Sequence, residues 1–311
     1  MAEPNQPYVL VVGAAGVDSK GKAKAPLTLG SSTPGTIRVS VGGVGRNIAE
    51  NLARLGIEAV LLSAIGAGGS GQRILVNAGE VGINTDYLVI SAEHHTSAYI
   101  ALLDEKGNLV MSVDDMEILA LITPQMINRR RSLIKNAAMV VFDTNLPEAT
   151  IAALVKVAQR YGVRLCADPT SNLLAVRLKT YLPDLFMIIP NVLEAEILSG
   201  KSIKDESGAI AAARTLINAG VKIVIITLAE AGVVYASAEA SGHIPAMATN
   251  IVDPSGAGDA LTAAVVFGLL NNIPLDEAVR LGASAAAMTL ACSDTVCGDL
   301  SLEILYDNLL I

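Results

Sequence analysis

The segment Asp253-Pro-Ser-Gly-Ala-Gly-Asp259 runs straight into the apolar stretch Ala260–Leu270. Glycines at 256 and 258 let the chain approach a ligand closely and point successive N–H groups one way. A helix opening there adds the positive end of its dipole. Gly256, Ala257 and Gly258 could therefore form an anion hole for the charge that builds up on a transferring phosphoryl group. Asp259, in the first helical turn, could take the proton of an attacking hydroxyl as general base. The same residues also suit a glycine turn with an ordinary capping Asp, and Gly-Ala-Gly-Asp alone does not separate the two.

Three further groups carry the right chemistry for a small polar ligand. Gly42-Gly43-Val44-Gly45-Arg46-Asn47 follows a strand and opens a helix. It matches neither the P-loop, which needs Gly-Lys-Ser/Thr, nor the dinucleotide fingerprint with its third glycine. Its paired glycines let backbone amides touch a neutral polyol, and Asn47 can bond a pair of hydroxyls. Gly13-Ala-Ala-Gly-Val-Asp18 reads as a loop after the first strand, where an ionised Asp18 accepts hydrogen bonds from vicinal hydroxyls. In Asn191-Val-Leu-Glu194 the i and i+3 positions share a helix face, and Glu194 could hold Mg²⁺ through water.

These residues need elements to position them. Tyr8–Val12, Ala59–Ser63, Ala138–Phe142, Arg164–Ala167, Leu185–Ile189 and Lys222–Thr227 are short, nearly continuous apolar runs. Such runs suit strands buried on both faces. Asn47–Leu55, Glu148–Tyr161, Leu193–Ser199 and Ser207–Ala219 lie between them with helical spacing, which argues for a parallel sheet wound with helices. After Asn250 the pattern becomes helical: Gly256–Leu270, Leu275–Cys292 and Leu300–Leu310. Gly35–Val41 and His95–Val113 instead alternate apolar and polar residues, with a hairpin signal at Asp104–Asn108, and read as a small antiparallel lid. The expectation is one α/β domain over 1–311 with lid strands inserted at about 35–41 and 95–113. Asp143, Asn145, Asp168, Asn191 and Thr227 all fall where strands end, the edge at which open parallel sheets bind ligands.

Composition narrows the partners. Of 311 residues, 52 % are hydrophobic and only 3 % aromatic, with no Trp, so the core is aliphatic and disorder is excluded. A net charge of −8 lacks the basic excess of a general nucleic-acid binder. Mean hydropathy is +0.51, yet the most apolar stretches, Ala260–Leu270 and Leu281–Cys292, are too short to span a bilayer. Met1–Pro7 has no basic n-region of a signal peptide. Three cysteines are too few for a disulfide framework, so Cys292 and Cys297 read as small apolar residues and the compartment as reducing cytoplasm. His94 and His95 are adjacent and would face opposite sides of a strand, which argues against a shared metal.

Taken together and in this order, these motifs resemble the ribokinase-like (pfkB) carbohydrate kinase family from Val9 to about Cys292. The resemblance implies a Rossmann-type α/β sandwich with a mainly parallel central sheet and a β lid, acting with ATP and Mg²⁺ on a primary hydroxyl. It makes Asp259 the base and Gly256, Ala257 and Gly258 the anion hole. Asp18, Gly42, Gly43 and Asn47 become substrate ligands, with Thr96, Ser97 and Asp114 as lid contacts. Asn191, Thr227, Gly232 and Ser255 join Gly256 and Gly258 in nucleotide binding, and Glu194 holds Mg²⁺ through water. The resemblance also implies a monovalent cation, K⁺, near Asp253 with carbonyls around Ala285–Ser293, and a homodimer through the lid strands. Two positions depart from the family pattern: Ser255 stands where Thr is usual, and Ala229 where Gly is usual. Within the family, residues 42–52 and the lid segments Thr96–Tyr99, Leu102–Asp104 and Asp114–Met116 look most like the branch that phosphorylates pseudouridine. Another nucleoside, ribose or fructose is the alternative acceptor, and a binding protein without chemistry is the alternative class. A carboxylate beside an anion hole speaks against that last reading.

Overall fold

In the computed structural model, which describes residues 7–309, Tyr8–Val12 lies in the middle of the molecule and every one of its residues is buried. Tyr8, Leu10 and Val12 pack into one apolar core, Val9 and Val11 into another. That division follows from the two-residue period of a strand, and it explains why the run is apolar throughout. Parallel neighbours Glu58–Leu62 and Met139–Asp143 flank it. The sheet continues in parallel through Leu165–Asp168, Met187–Ile188 and Ile223–Thr227. Two antiparallel strands, Val233–Ala236 and Ser241–Ile244, finish that edge. This edge hairpin was not expected: Val233–Ala236 is apolar but only four residues long, and Ser241–Ile244 is equally short and mostly polar.

Helices Glu148–Tyr161 and Glu206–Asn218 cover one face, through Ile151, Leu154, Ala212 and Leu216. Val44–Arg54, Gly69–Val81, Ala257–Leu270 and Leu275–Leu290 cover the other, through Ile48, Ile74, Val265 and Val279. The expected strands and helices are all present, with ends moved by at most three residues. The expected last helix runs Leu302–Leu309, and its predicted end at Leu310, like Met1–Gln6 of the N-terminal segment, lies outside the described residues. Among the described residues no helix is long and apolar enough to cross a membrane.

The lid is a separate sheet of four strands, in the order Gly35–Gly42, Gly16–Ala23, Ser97–Leu103, Leu109–Asp115. Asp104 closes its hairpin, accepting from the amides of Lys106 and Asn108 at 2.9 and 2.8 Å. Gly16–Ala23 corrects the sequence reading, which left Asp18 in a loop. With two glycines and three charged residues, this segment has low strand propensity. It pairs antiparallel with Gly35–Gly42 but parallel with Ser97–Leu103, which makes it a strand and the lid a mixed sheet, not the antiparallel one expected. A second correction concerns Cys292 and Cys297, which form a disulfide closing the loop after helix Leu275–Leu290.

Candidate active site

Helix Ala257–Leu270 opens on Gly256, whose φ of 83° lies in the left-handed region that glycine tolerates. A Cβ there would collide with the Thr295 carbonyl. No side chain caps this end, so its free amides and dipole face outward at Gly256, Ala257 and Gly258, an arrangement suited to an anion. Asp259 sits in the first turn, 8 % exposed, and its Oδ2 accepts from Asn47 Nδ2 at 2.8 Å. Burial pushes its carboxyl up to about 7; the Asn47 hydrogen bond and the Arg46 cation pull it down, while Asp143 and Asp18 add to the rise.

Asn47 stands on helix Val44–Arg54. A Cβ on Gly43, where φ is 92°, would lie 2.6 Å from the Ala14 carbonyl, and one on Gly42 would strike the Asp18 carboxylate at 2.5 Å. The glycine pair is thus required for the chain to pass close to itself and to Asp18. Asp18 is in register with Ser40 and Tyr99 on the lid. Burial raises its carboxyl, against Lys20 and Arg46.

Because Asp18 is on a strand, Lys20 shares its face. Lys20 Nζ lies 2.6 Å from Asp253 Oδ2 and 2.7 Å from Ser255 Oγ. Burial disfavours the Asp253 charge, but Lys20 and the Ser255 amide outweigh it and hold the carboxyl below its usual range. Sequence reading missed Lys20, which a period of two counted from Asp18 would have found.

Two strand-end carboxylates complete the floor. Asp143 accepts from the amides of Ala14 and Gly45 at 2.7 and 3.1 Å, tying the first-strand turn to the helix that carries Asn47. Burial pushes it up to about 6. Asp168, opposite Asp143 in the next strand, is raised well above the usual range by burial and by the charges of Asp259 and Glu194.

Asn191 and Glu194 do not share a helix face as expected. Asn191 is the N-cap of Val192–Ser199: its side chain accepts from Glu194 N at 3.0 Å, and Glu194 Oε2 accepts from Asn191 N at 2.9 Å. This capping box engages one Glu194 oxygen. Thr227 ends its strand beside Asn191. Ala229 follows with φ 51°, so the position where the family uses glycine keeps the glycine conformation. Gly232 takes φ 94° and leads into the edge strand.

The lid candidates divide. Thr96 Oγ1 accepts from Gly66 N at 2.9 Å and anchors the lid strand's start. Ser97 is 1 % exposed and its hydroxyl has no partner among the described residues. Asp114 shares the Asp18 face through Tyr99, but lies exposed two strands away, roughly 10 Å by strand spacing. The structure does not bring it to Asp18.

A profile of the pfkB family of carbohydrate kinases matches residues 6–299. The chain is 33 % identical to the pseudouridine kinase of Escherichia coli K12 over 95 % of its own length and 94 % of that protein's. It is 28 % identical to a guanosine-inosine kinase of Exiguobacterium acetylicum over 92 % and 95 %. The structure of Arabidopsis thaliana ribokinase complexed with ribose and ATP superposes with a TM-score of 0.87 at 20 % identity, covering 98 % of this chain and 99 % of that one. The fold is therefore ribokinase-like.

Proposed function

The chain belongs to the pfkB family of carbohydrate kinases, and on that premise we propose that it transfers the γ-phosphoryl group of ATP to the 5′-hydroxyl of pseudouridine. The products are pseudouridine 5′-phosphate and ADP. Its class is a phosphotransferase with an alcohol acceptor. The observation that carries the chemistry is Asp259, buried at the head of an uncapped helix with one oxygen on Asn47. In this reading Asp259 takes the hydroxyl proton, and the amides of Gly256, Ala257 and Gly258 meet the charge on the transferring group.

Asp18, Gly42, Gly43 and Asn47 hold the ribose, and Ser97, whose hydroxyl is fully buried, contacts the nucleobase only if the lid moves. Thr96 shapes the pocket from its anchored position, and Asp114 contacts substrate only if the lid closes. Asn191, Thr227, Gly232, Ser255, Gly256 and Gly258 line the nucleotide. Among the described residues no three carboxylate, histidine or cysteine side chains gather closely enough to hold a metal ion by themselves, so a divalent cation here would take its other oxygen ligands from water and phosphate. Glu194, with Oε1 outside the capping box, would hold Mg²⁺ through water, and the ion would neutralise phosphate charge. A K⁺ ion at Asp253 would share that carboxylate with Lys20.

The acceptor assignment rests on the similarity to a pseudouridine kinase and on the lid segments. The similarity to a guanosine-inosine kinase supports another nucleoside as the second reading. A coupled ADP assay over pseudouridine, uridine, cytidine, adenosine, guanosine, ribose and fructose tests both. We expect kcat/KM for pseudouridine to exceed that for uridine and ribose by at least ~10-fold, since a site built to pair a polar group rejects an analogue lacking it. Preference for a free sugar overturns the acceptor and leaves the kinase class intact.

The lid also supports a homodimer. Its face opposite Asp18 carries Val39, Ile100 and Val113 in one row, 44 %, 59 % and 70 % exposed, an apolar patch of the kind that marks an interface. Sedimentation of wild type against Ile100→Asp with Val113→Asp checks this: equal masses for the two exclude the lid as the interface.

A further inference from the structure

A buried cation beside the site takes no part in the reaction proposed above. Arg46 is 2 % exposed, and a guanidinium has five N–H donors to satisfy. Nε and Nη2 lie 3.2 and 2.8 Å from Asn77 Oδ1, and Nη2 also meets Glu50. Nη1 reaches Asn47 Oδ1 at 2.8 Å and the Val41 carbonyl at 3.3 Å. Arg54 holds the other Glu50 oxygen at 2.7 Å.

An amide side chain has a donor end and an acceptor end of nearly the same shape. Which end faces a neighbour is decided by the bonds of the opposite end. Asn47 Oδ1 faces Arg46 Nη1 at 2.8 Å and the Thr295 hydroxyl at 3.1 Å, whose single proton is shared with the Val41 carbonyl, also at 3.1 Å. Turning the amide over would set its N–H groups against a guanidinium and its oxygen against the Asp259 carboxylate. We propose that Arg46 is a positioning residue that, with Thr295, locks the Asn47 amide so that Nδ2 donates to Asp259. The lock fixes Oδ2 of Asp259 and presents Oδ1, which takes no hydrogen bond from the described residues, to the substrate hydroxyl.

The arrangement also matters to the charge of the base. Asp259 faces Asp143 and Asp168 from two strand ends, Asp18 from the lid and Arg46 from its helix. Each carboxylate favours a proton on Asp259, and Arg46 opposes them. Losing Arg46 therefore moves the ionisation of the base to higher pH, both by removing a cation and by freeing the amide to turn.

This inference rests on the assignment of Asp259 as base, and its test keeps the two apart. Arg46→Met alone would disturb the charge balance around buried Glu50, so it is paired with Glu50→Gln; Thr295→Val removes the second donor without touching an ion pair. In both variants kcat falls, by at least ~10-fold in the double variant, with KM for ATP within about two-fold. The acidic limb of kcat/KM moves to higher pH, and Arg46→Lys, which keeps charge but not the fork, recovers part of the loss. A folded double variant whose acidic limb coincides with wild type overturns the proposal. A wild type inactive on every acceptor overturns the kinase mechanism instead. In that case the side-chain amide protons of Asn47 in ¹⁵N-labelled protein read the positioning without turnover. They should exchange with water at least ~10-fold faster in the double variant, since exchange follows local opening; equal rates overturn it.

Discussion

Lys20 and Asp253 meet at 2.6 Å across a sequence separation of 233 residues. This bond joins the lid to the loop that precedes helix Ala257–Leu270. The lid therefore touches the proposed phosphate site directly. The same carboxylate is the one expected to hold a monovalent cation, so the chain offers an ammonium of its own at that place.

Replacing Asp259 with Asn keeps its size and its contact with Asn47 but removes the proposed base. We expect turnover to fall by ~10²–10⁴ with folding and nucleotide binding retained. In wild type the base must be ionised, and its carboxyl is pushed up to about 7. The kcat/KM profile should therefore decline as pH drops through the region of 7. Near-wild-type turnover in the variant removes Asp259 from the base's role.

The same buried carboxylates make ligand-free stability depend on pH. Asp143 and Asp259 rise to about 6 and about 7 from the usual aspartate value of 3.8. The native state then holds protons that the unfolded state releases, and their stabilisation is full below about 4 and lost as pH rises through 6 and 7. Thermal unfolding midpoints should fall between pH 5 and pH 8, and less steeply in Asp143→Asn. A wild-type midpoint that climbs over this range contradicts the assignment.

Ala229 holds φ 51° in the loop after Thr227. An L-residue in that region costs roughly 1–2 kcal/mol, and glycine gives back part through unfolded-chain entropy. Ala229→Gly should raise the unfolding midpoint by about 1–3 °C in a chain of this size. A lower midpoint shows that the alanine methyl makes compensating contacts.

Cation dependence tests the lid bond. We expect rates in K⁺ to exceed those in Na⁺ or Tris, and the advantage to grow in Lys20→Met, which frees Asp253. Turnover in that variant should fall by ~10-fold, as expected when a charge is lost beside a phosphoryl group. Identical rates in all three cations, in both proteins, eliminate a cation at Asp253.

Much of this was legible in the sequence because buried parallel strands leave a plain trace. Tyr8–Val12 feeds two cores with alternate side chains, so every position must be apolar whatever the neighbours are. The Gly256–Asp259 turn was legible for a similar reason: its chemistry is local, carried by residues adjacent in the chain. The lid strand Gly16–Ala23 was not, because its hydrogen bonds come from segments up to about 80 residues away and its own residues have little strand preference. Asp18 and Lys20 took their shared direction from that pairing alone. Likewise Asn191 and Glu194 were visible as a pair, but only the helix start showed that they cap it. Arg46 sat in plain view beside Asn47, and Glu50 lies one turn further along the same helix, but Asn77 and Val41 come from another helix and from a lid strand. Residue type and spacing determined the six parallel strands, most of the helices and the reactive turn, since these depend on local geometry and burial. Tertiary packing decided which charges face one another, because Coulomb and hydrogen-bond energies depend on distances that no spacing along the chain encodes.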